Sequence, residues 1–223
     1  MKAIPKGAYA VMSQRIDPVD SLDMFPTPPW ATRALCEVVL RERGFLPHAR
    51  PFSYSCWEPA AGAGHMAEVL RDYFNIVHAS DVHDYGRGYA VGTFVGDGLD
   101  RAKCPFRPDW IITNPPFNLA AAFFERAIET ATKGVALLLR SNWAEGAARY
   151  RAIFEPRPPT FEALFVERVP MVKGRWDPRA STATSYTWFI WCYPLSRTTN
   201  RIWIPPGQRK ALERPDDRER FAA

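Results

Sequence analysis

A chain of 223 residues with 47% apolar and 24% charged residues is long enough to bury one proper core and has the composition of a soluble globular protein, not of a fibrous or disordered one. Its net charge of +5 is unevenly placed: residues 1–156 carry 17 Lys+Arg against 17 Asp+Glu, residues 157–223 carry 12 against 7, and a basic last third suits a polyanionic partner or a solvated surface. No apolar run approaches membrane-spanning length, residues 1–20 lack an apolar signal core, and Cys36, Cys56, Cys104 and Cys192 are scattered, which points to a cytoplasmic protein with reduced thiols and no metal site.

Residues 1–23 show no period and read as a flexible N-terminal arm. Met24-Phe25-Pro26-Thr27-Pro28-Pro29-Trp30 follows as a proline-restrained loop, with Thr27 placed to cap a helix that opens on Pro28 and Pro29. Ala31, Ala34, Leu35, Val38 and Val39 give that helix an apolar face, and Gly44 ends it. Residues 54–57 read as a first strand running into Glu58-Pro59-Ala60-Ala61-Gly62-Ala63-Gly64, with a helix from about His65 to Tyr73. Strand, small-residue loop and helix open a doubly wound α/β fold, and Gly62 and Gly64 let the backbone turn tightly and approach a ligand. The loop is neither a full GxGxxG nor a Walker loop, so alone it is a weak sign of a cofactor. Residues 75–80 give a second strand closing on Asp81, an acidic residue at the distance that suits ribose hydroxyls. Residues 94–99 read as another strand end, with Asp97 between two glycines.

A fourth strand over residues 110–112 leads into Asn114-Pro115-Pro116-Phe117. The two prolines stop strand pairing and stiffen the turn. Asn114 Oδ1 and the Pro115 carbonyl are then acceptors that suit a substrate –NH2 group, with Phe117 beside them to stack on a planar ring. Taken alone, the same four residues serve equally well as a structural turn with Phe117 buried. Helical spacing over residues 119–132 and a buried-type strand over 135–139 complete an alternation that predicts a parallel, doubly wound sheet. Its ligand sites should lie outside the carboxyl ends of the strands, where Glu58, Asp81, Asp97 and Asn114 all fall.

Beyond a helix near residues 145–154 the pattern changes. Residues 161–166 and 185–192 read as strands, the second dense in aromatics. Between them a basic insertion at about 156–184 holds Arg168, Lys173, Arg175, Trp176 and Arg179. Cations interleaved with an aromatic suit phosphate contacts and base stacking; a surface loop with Trp176 packed on the domain is the equal alternative. Residues 198–204 offer an edge strand, so residues 24–204 form one domain, and residues 205–223 are a charged C-terminal tail, partly helical or disordered.

In this order the pieces resemble the S-adenosylmethionine-dependent DNA adenine-N6 methyltransferases, which carry an (N/D)-P-P-(F/Y) motif. The resemblance covers residues 24–143 well and 160–192 loosely. Asn114-Pro115-Pro116-Phe117 matches the catalytic motif, and the segment from Glu58 through Pro59, Ala60 and Gly62 to Gly64 looks like the cofactor loop. Phe25-Pro26-Thr27-Pro28 looks like the motif that closes over the methionine end of the cofactor, and the motif order is similar to that of the gamma group. The resemblance implies a Rossmann-like class I methyltransferase fold with S-adenosyl-L-methionine across the strand ends. It assigns Asp81 to the ribose hydroxyls, Asp97 to the adenine amino group of the cofactor, and Thr27 and Gly62 to its methionine part. It further implies double-stranded DNA as partner, with the adenine flipped out, its N6 hydrogens on Asn114 Oδ1 and the Pro115 carbonyl, and Phe117 stacked on the base. An aromatic among residues 186–191 is a candidate for the other face.

The chain departs from that family in having little room for a separate target-recognition domain. A short or relaxed recognition sequence, a homodimer or a recognition partner subunit is therefore expected, as in an orphan or phage-type enzyme of a bacterial cell. The same turn also serves an RNA base or a protein glutamine amine, and a non-catalytic nucleic-acid-binding subunit is the alternative of another class.

Overall fold

A computed structural model of the protein describes residues 24–49, 53–96 and 98–221; the arm expected over residues 1–23 lies outside the described residues. Eight strands form one sheet in the order β3-β2-β1-β4-β5-β7-β6-β8. They are β1 (Ser55–Glu58), β2 (Ile76–Asp81), β3 (Ala90–Val91), β4 (Trp110–Thr113), β5 (Gly134–Arg140), β6 (Phe161–Phe165), β7 (Tyr186–Cys192) and β8 (Asn200–Ile204). Neighbours from β3 through β5 pair parallel, β7 runs antiparallel to both β5 and β6, and β8 returns parallel to β6. The order reverses between β1 and β4, which opens a crevice at their carboxyl ends.

Strand β5 shows why the sheet is buried on both faces. Val135, Leu137 and Leu139 pack with Phe123 and Phe124 of α3 (Ala120–Thr130), while Ala136 and Leu138 face the opposite layer with Trp30, Leu35 and Leu40. A run without polar alternation is what such a strand requires, and each fully buried large side chain contributes about 2–3 kcal/mol. The opposite layer holds α1 (Pro29–Ala34), its π-helical continuation Leu35–Arg41, and α2 (His65–Leu70). The helix read near residues 145–154 is a short α4 (Ala147–Arg149) passing into a π-helical turn, Tyr150–Phe154. Cys36, Cys56, Cys104 and Cys192 are free thiols.

Three expectations change. Strand β3 is a two-residue pairing upstream of the segment read as a strand: Ala90 and Val91 pair with Ser80 and Asp81, and Phe94 instead drives its ring between Trp57 and Phe123. Thr27 does not cap α1; Pro28 occupies the cap position without a side-chain bond, and the Thr27 hydroxyl serves another partner. The charged tail of residues 205–223, read as partly helical or disordered, is helical in part over its described residues, as α5 (Gln208–Leu212) and α6 (Asp217–Phe221), and what changes is that it docks on the domain, through a buried bidentate pair between Arg33 and Asp217 at 2.6 and 2.7 Å.

Candidate active site

The loop from β1 to α2 is built around two left-handed glycines, Gly62 at φ 51° and Gly64 at φ 89°. A Cβ on Gly64 would also stand 2.2 Å from the Tyr89 hydroxyl, so a side chain there would be strained by the backbone and would have to displace the Tyr89 ring. The Gly62 N–H donates to Asp81 Oδ2 at 2.8 Å, and the Ala61 N–H donates to the Ser80 carbonyl at 3.0 Å. These bonds fasten the loop to the carboxyl end of β2. Asp81 Oδ1 accepts from the His83 N–H at 3.1 Å; burial raises the carboxyl above its ordinary range, and the Gly62 and His83 amides oppose that rise.

Glu58 closes β1 and is only 2% exposed. Its Oε2 finds no hydrogen-bond partner among the described residues. Burial, reinforced by the Asp81 charge, pushes its carboxyl well above the usual carboxylate range. An acceptor left bare in the interior costs about 1–3 kcal/mol and calls for a donor.

Asn114 follows β4 and is the second orphan. Its Nδ2 donates to the Phe25 carbonyl at 2.9 Å and the Thr27 hydroxyl at 3.2 Å, and lies 3.6 Å from Met171 Sδ. A carbonyl only accepts, so these partners fix which way the amide points. Oδ1 is buried without a partner among the described residues. Pro115 is buried, and the half-buried Pro116 carbonyl accepts from the Leu119 N–H at 2.9 Å. The Phe117 ring stands 5.9 Å from Phe25 and 6.3 Å from Tyr186, with the Arg140 guanidinium over it at 4.8 Å. Trp188 and Trp191 of β7 are spent in the core, where their indole N–H groups donate to the Ala31 and Arg157 carbonyls.

One cleft of about 570 Å³, counted to its open mouth, gathers part of this set; Pro28, Pro59, Gly64, Pro115 and Phe117 do not line it. Phe25 and Thr27 form one wall, the loop from Glu58 through Ala60 and Gly62 another, and Asp81, Asn114 and Pro116 the rest. Asp97 lies outside the described residues. His65, Met66, Val82 and Tyr85 also line the cleft, and Met171 reaches the Asn114 amide, although sequence reasoning singled out none of them. The position of His65 directly after the glycine loop was the available signal; Met171 carried none, because only the tertiary fold brings it to Asn114.

The basic insertion comes to the same place. The Gly174 N–H donates to the Met24 carbonyl at 2.8 Å, which lays the loop against the segment leading into Phe25 and Thr27. Arg168, Arg175 and Arg179 are exposed and Lys173 is half-buried. Arg168 donates to Ser185 Oγ, and Arg175 lies 3.7 Å from the Asp177 carboxylate. Trp176 was expected either to stack on a base or to pack on the domain. It packs: it is 9% exposed and meets Phe221 edge-on at 6.3 Å, so its ring faces the core. Among the described residues no cluster of three or more His, Cys, Asp or Glu side chains is placed to hold a metal, and no helix is long and apolar enough to cross a membrane.

The strand order, the antiparallel β7 and the cleft at the switch between β1 and β4 decide the architecture. This is the class I methyltransferase fold. Neither a protein-family model nor a curated protein matches the chain by sequence. In three dimensions the methyltransferase fold is similar to a proposed RNA methyltransferase from Pyrococcus horikoshii, with a TM-score of 0.53 and 14% identity over 76% of this chain and 86% of that one. It is also similar to a type I restriction-modification methyltransferase subunit from Streptococcus thermophilus, with a TM-score of 0.56 and 11% identity over 79% of this chain and 46% of that one. The chain thus spans less than half of that subunit, and at these identities the likeness is one of fold.

Proposed function

We propose that this protein transfers a methyl group from S-adenosyl-L-methionine to the exocyclic N6 amino group of adenine in DNA, acting on a base extruded from the duplex. The observation that supports this reading most is the Asn114 amide. Its NH2 is engaged by Phe25 and Thr27, and its Oδ1 is a buried acceptor without a partner among the described residues. An acceptor fixed in that way is suited to a substrate amine.

The cleft fits the cofactor on its own chemistry. Glu58, buried at the cleft wall with Oε2 unpartnered among the described residues, would meet the cofactor's ammonium group by giving up the proton that burial favours, and the Asp81 carboxylate at the end of β2 suits vicinal ribose hydroxyls. Gly62 and Gly64 leave room along the loop, Pro59 and Ala60 carry it past the ligand, and Phe25, Thr27 and Pro28 close the methionine end. Asp97 is assigned to the cofactor's adenine amino group by resemblance alone. When bound, the cofactor supplies an electrophilic methyl group on a positively charged sulfur.

The chain's own residues supply orientation and electrostatics. Asn114 Oδ1 and the Pro115 carbonyl accept the two N6 hydrogens, which shifts electron density onto the nitrogen and frees its lone pair from the ring. Once N6 carries the methyl group, one of those hydrogens leaves as a proton to solvent water, which disposes of the positive charge the sulfonium brought. Pro116 stiffens the turn, and Phe117 lies beside the base with Tyr186 nearby. A preorganised hydrogen-bond partner of this kind is worth about a hundred- to a thousandfold in rate. Arg168, Lys173, Arg175 and Arg179 are the candidates for the phosphate backbone.

DNA is favoured over RNA or a protein amide by the Phe25-Pro26-Thr27-Pro28 motif upstream of the cofactor loop, and a nucleic acid over a protein amide by exposed arginines on the loop that adjoins it. The small insertion leaves recognition to a short sequence, a partner subunit or a second copy of the chain. Incubation with a tritiated methyl donor and, separately, duplex DNA, RNA and a protein extract tests the substrate. Label in DNA is expected. Label confined to RNA or protein contradicts the DNA assignment, and no cofactor binding at all favours a non-catalytic subunit.

A further inference from the structure

His65 is the first residue of α2, directly after the left-handed Gly64, and it lines the cleft. It is 7% exposed, and its Nε2 lies 3.0 Å from the Phe221 carbonyl oxygen. Because a carbonyl only accepts, Nε2 is the donor, which sets the tautomer. The two rings also stack, with centroids 5.9 Å apart and planes at 29°. Burial pushes the His65 pKa down to about 4, so the ring is neutral near pH 7.

Phe221 belongs to α6, and α6 is fixed to the rest of the site from several directions. Asp217 holds Arg33 of α1, the helix that opens after Phe25-Pro26-Thr27-Pro28, with both side chains almost wholly buried. Arg33 also donates to the Leu212 carbonyl at 2.9 Å. Arg214 pairs with Asp72 at 2.7 Å, just past α2. Trp176 of the basic insertion packs on Phe221, and Arg209 of α5 donates to the Pro178 carbonyl.

We infer that α6 is a clasp that positions the cofactor loop, and that His65 is the positioning residue through which it acts. Two glycines make the loop costly to order, because glycine loses more backbone freedom than any other residue. Helix α2 has six residues, too few to hold its own first turn firmly. The His65 bond therefore supplies from outside the order that the loop lacks within, and a loop ordered in advance binds its ligand more tightly. The cofactor half of this inference rests on the function proposed above; the half about loop order does not.

Amide hydrogen exchange on the ligand-free chain, and calorimetry with S-adenosyl-L-methionine, test it on the unaltered protein and on His65→Phe and His65→Gln. Phenylalanine keeps the ring stack and loses the donor, whereas the glutamine side chain carries an N–H of similar reach. Exchange of the amides of residues 62–67 is expected to quicken about five- to tenfold in the Phe variant, with Kd for the cofactor weakened about five- to tenfold. The Gln variant is expected within about twofold of the unaltered chain on both readings. A Phe variant that is protected and binds as before overturns the inference. So does a Gln variant as impaired as Phe, or quickened exchange spread through β4 and β5, which would make the contact one of general stability. If the unaltered chain does not bind the cofactor, the proposed function falls and the exchange data alone decide the clasp.

Discussion

Three contacts engage the Asn114 NH2, and none among the described residues engages its Oδ1. Asn114→Ala removes that acceptor together with the three NH2 contacts, and the change is expected to abolish methyl transfer while cofactor binding, measured by calorimetry, is largely retained. Near-normal turnover would contradict the catalytic role. Thr27→Val probes the other end of the same amide: losing the hydroxyl at 3.2 Å is expected to lower the rate about tenfold through a less firmly aimed Oδ1, measured in single turnover. Glu58 behaves oppositely. Burial first, then the charges of Asp81 and Glu68, raise its carboxyl, and the Ala67 N–H only partly opposes them. The folded chain holds this proton when the unfolded chain has released it, so the stability linked to Glu58 is complete below about pH 4.5 and declines as pH rises. Glu58→Gln is expected to raise the thermal midpoint by a margin that widens from pH 5 to pH 8, while weakening cofactor binding. A midpoint unchanged or lower at pH 8 would contradict the orphaned carboxyl.

Among the elements, β1, β2, β4 and β5 were legible because each is a short, largely apolar segment bounded by loop residues, and the residues at or just past the ends of the first three, Glu58, Asp81 and Asn114, line one cleft. The missing information is long-range. Strand β3 is two residues held by β2 alone, below any periodic signal. Thr27 carries the local signature of a cap, but Asn114, 87 residues away, claims its hydroxyl. The Arg33–Asp217 pair spans 184 residues, so α5 and α6 read as charge without an anchor. That pair yields a prediction at this scale: Asp217→Ala strands a buried guanidinium and is expected to cost about 3–5 kcal/mol in denaturant unfolding. Arg33→Met with Asp217→Leu together should recover most of the loss, whereas a double variant no better than the single one would contradict the account of a desolvated pair.

For the molecule as a whole, the basic last third divides into two populations. Arg201, Arg209 and Arg214 pair at the surface with Glu162, Glu213 and Asp72. Arg168, Arg175 and Arg179 stand exposed on the loop that lies against the cleft wall. Replacing Arg175 and Arg179 together with alanine is expected to weaken duplex DNA binding and to reduce the slope of log K against log salt by about one to two, and an unchanged slope would return the loop to a merely solvated role. The central claim is that this cleft aims a substrate amine at a methyl donor through Asn114. Its most direct test is nucleoside mass spectrometry of duplex DNA incubated with S-adenosyl-L-methionine and either the unaltered chain or Asn114→Ala. N6-methyladenine formed by the former and absent with the latter is the predicted result; DNA without N6-methyladenine, or equal amounts with both chains, would contradict it.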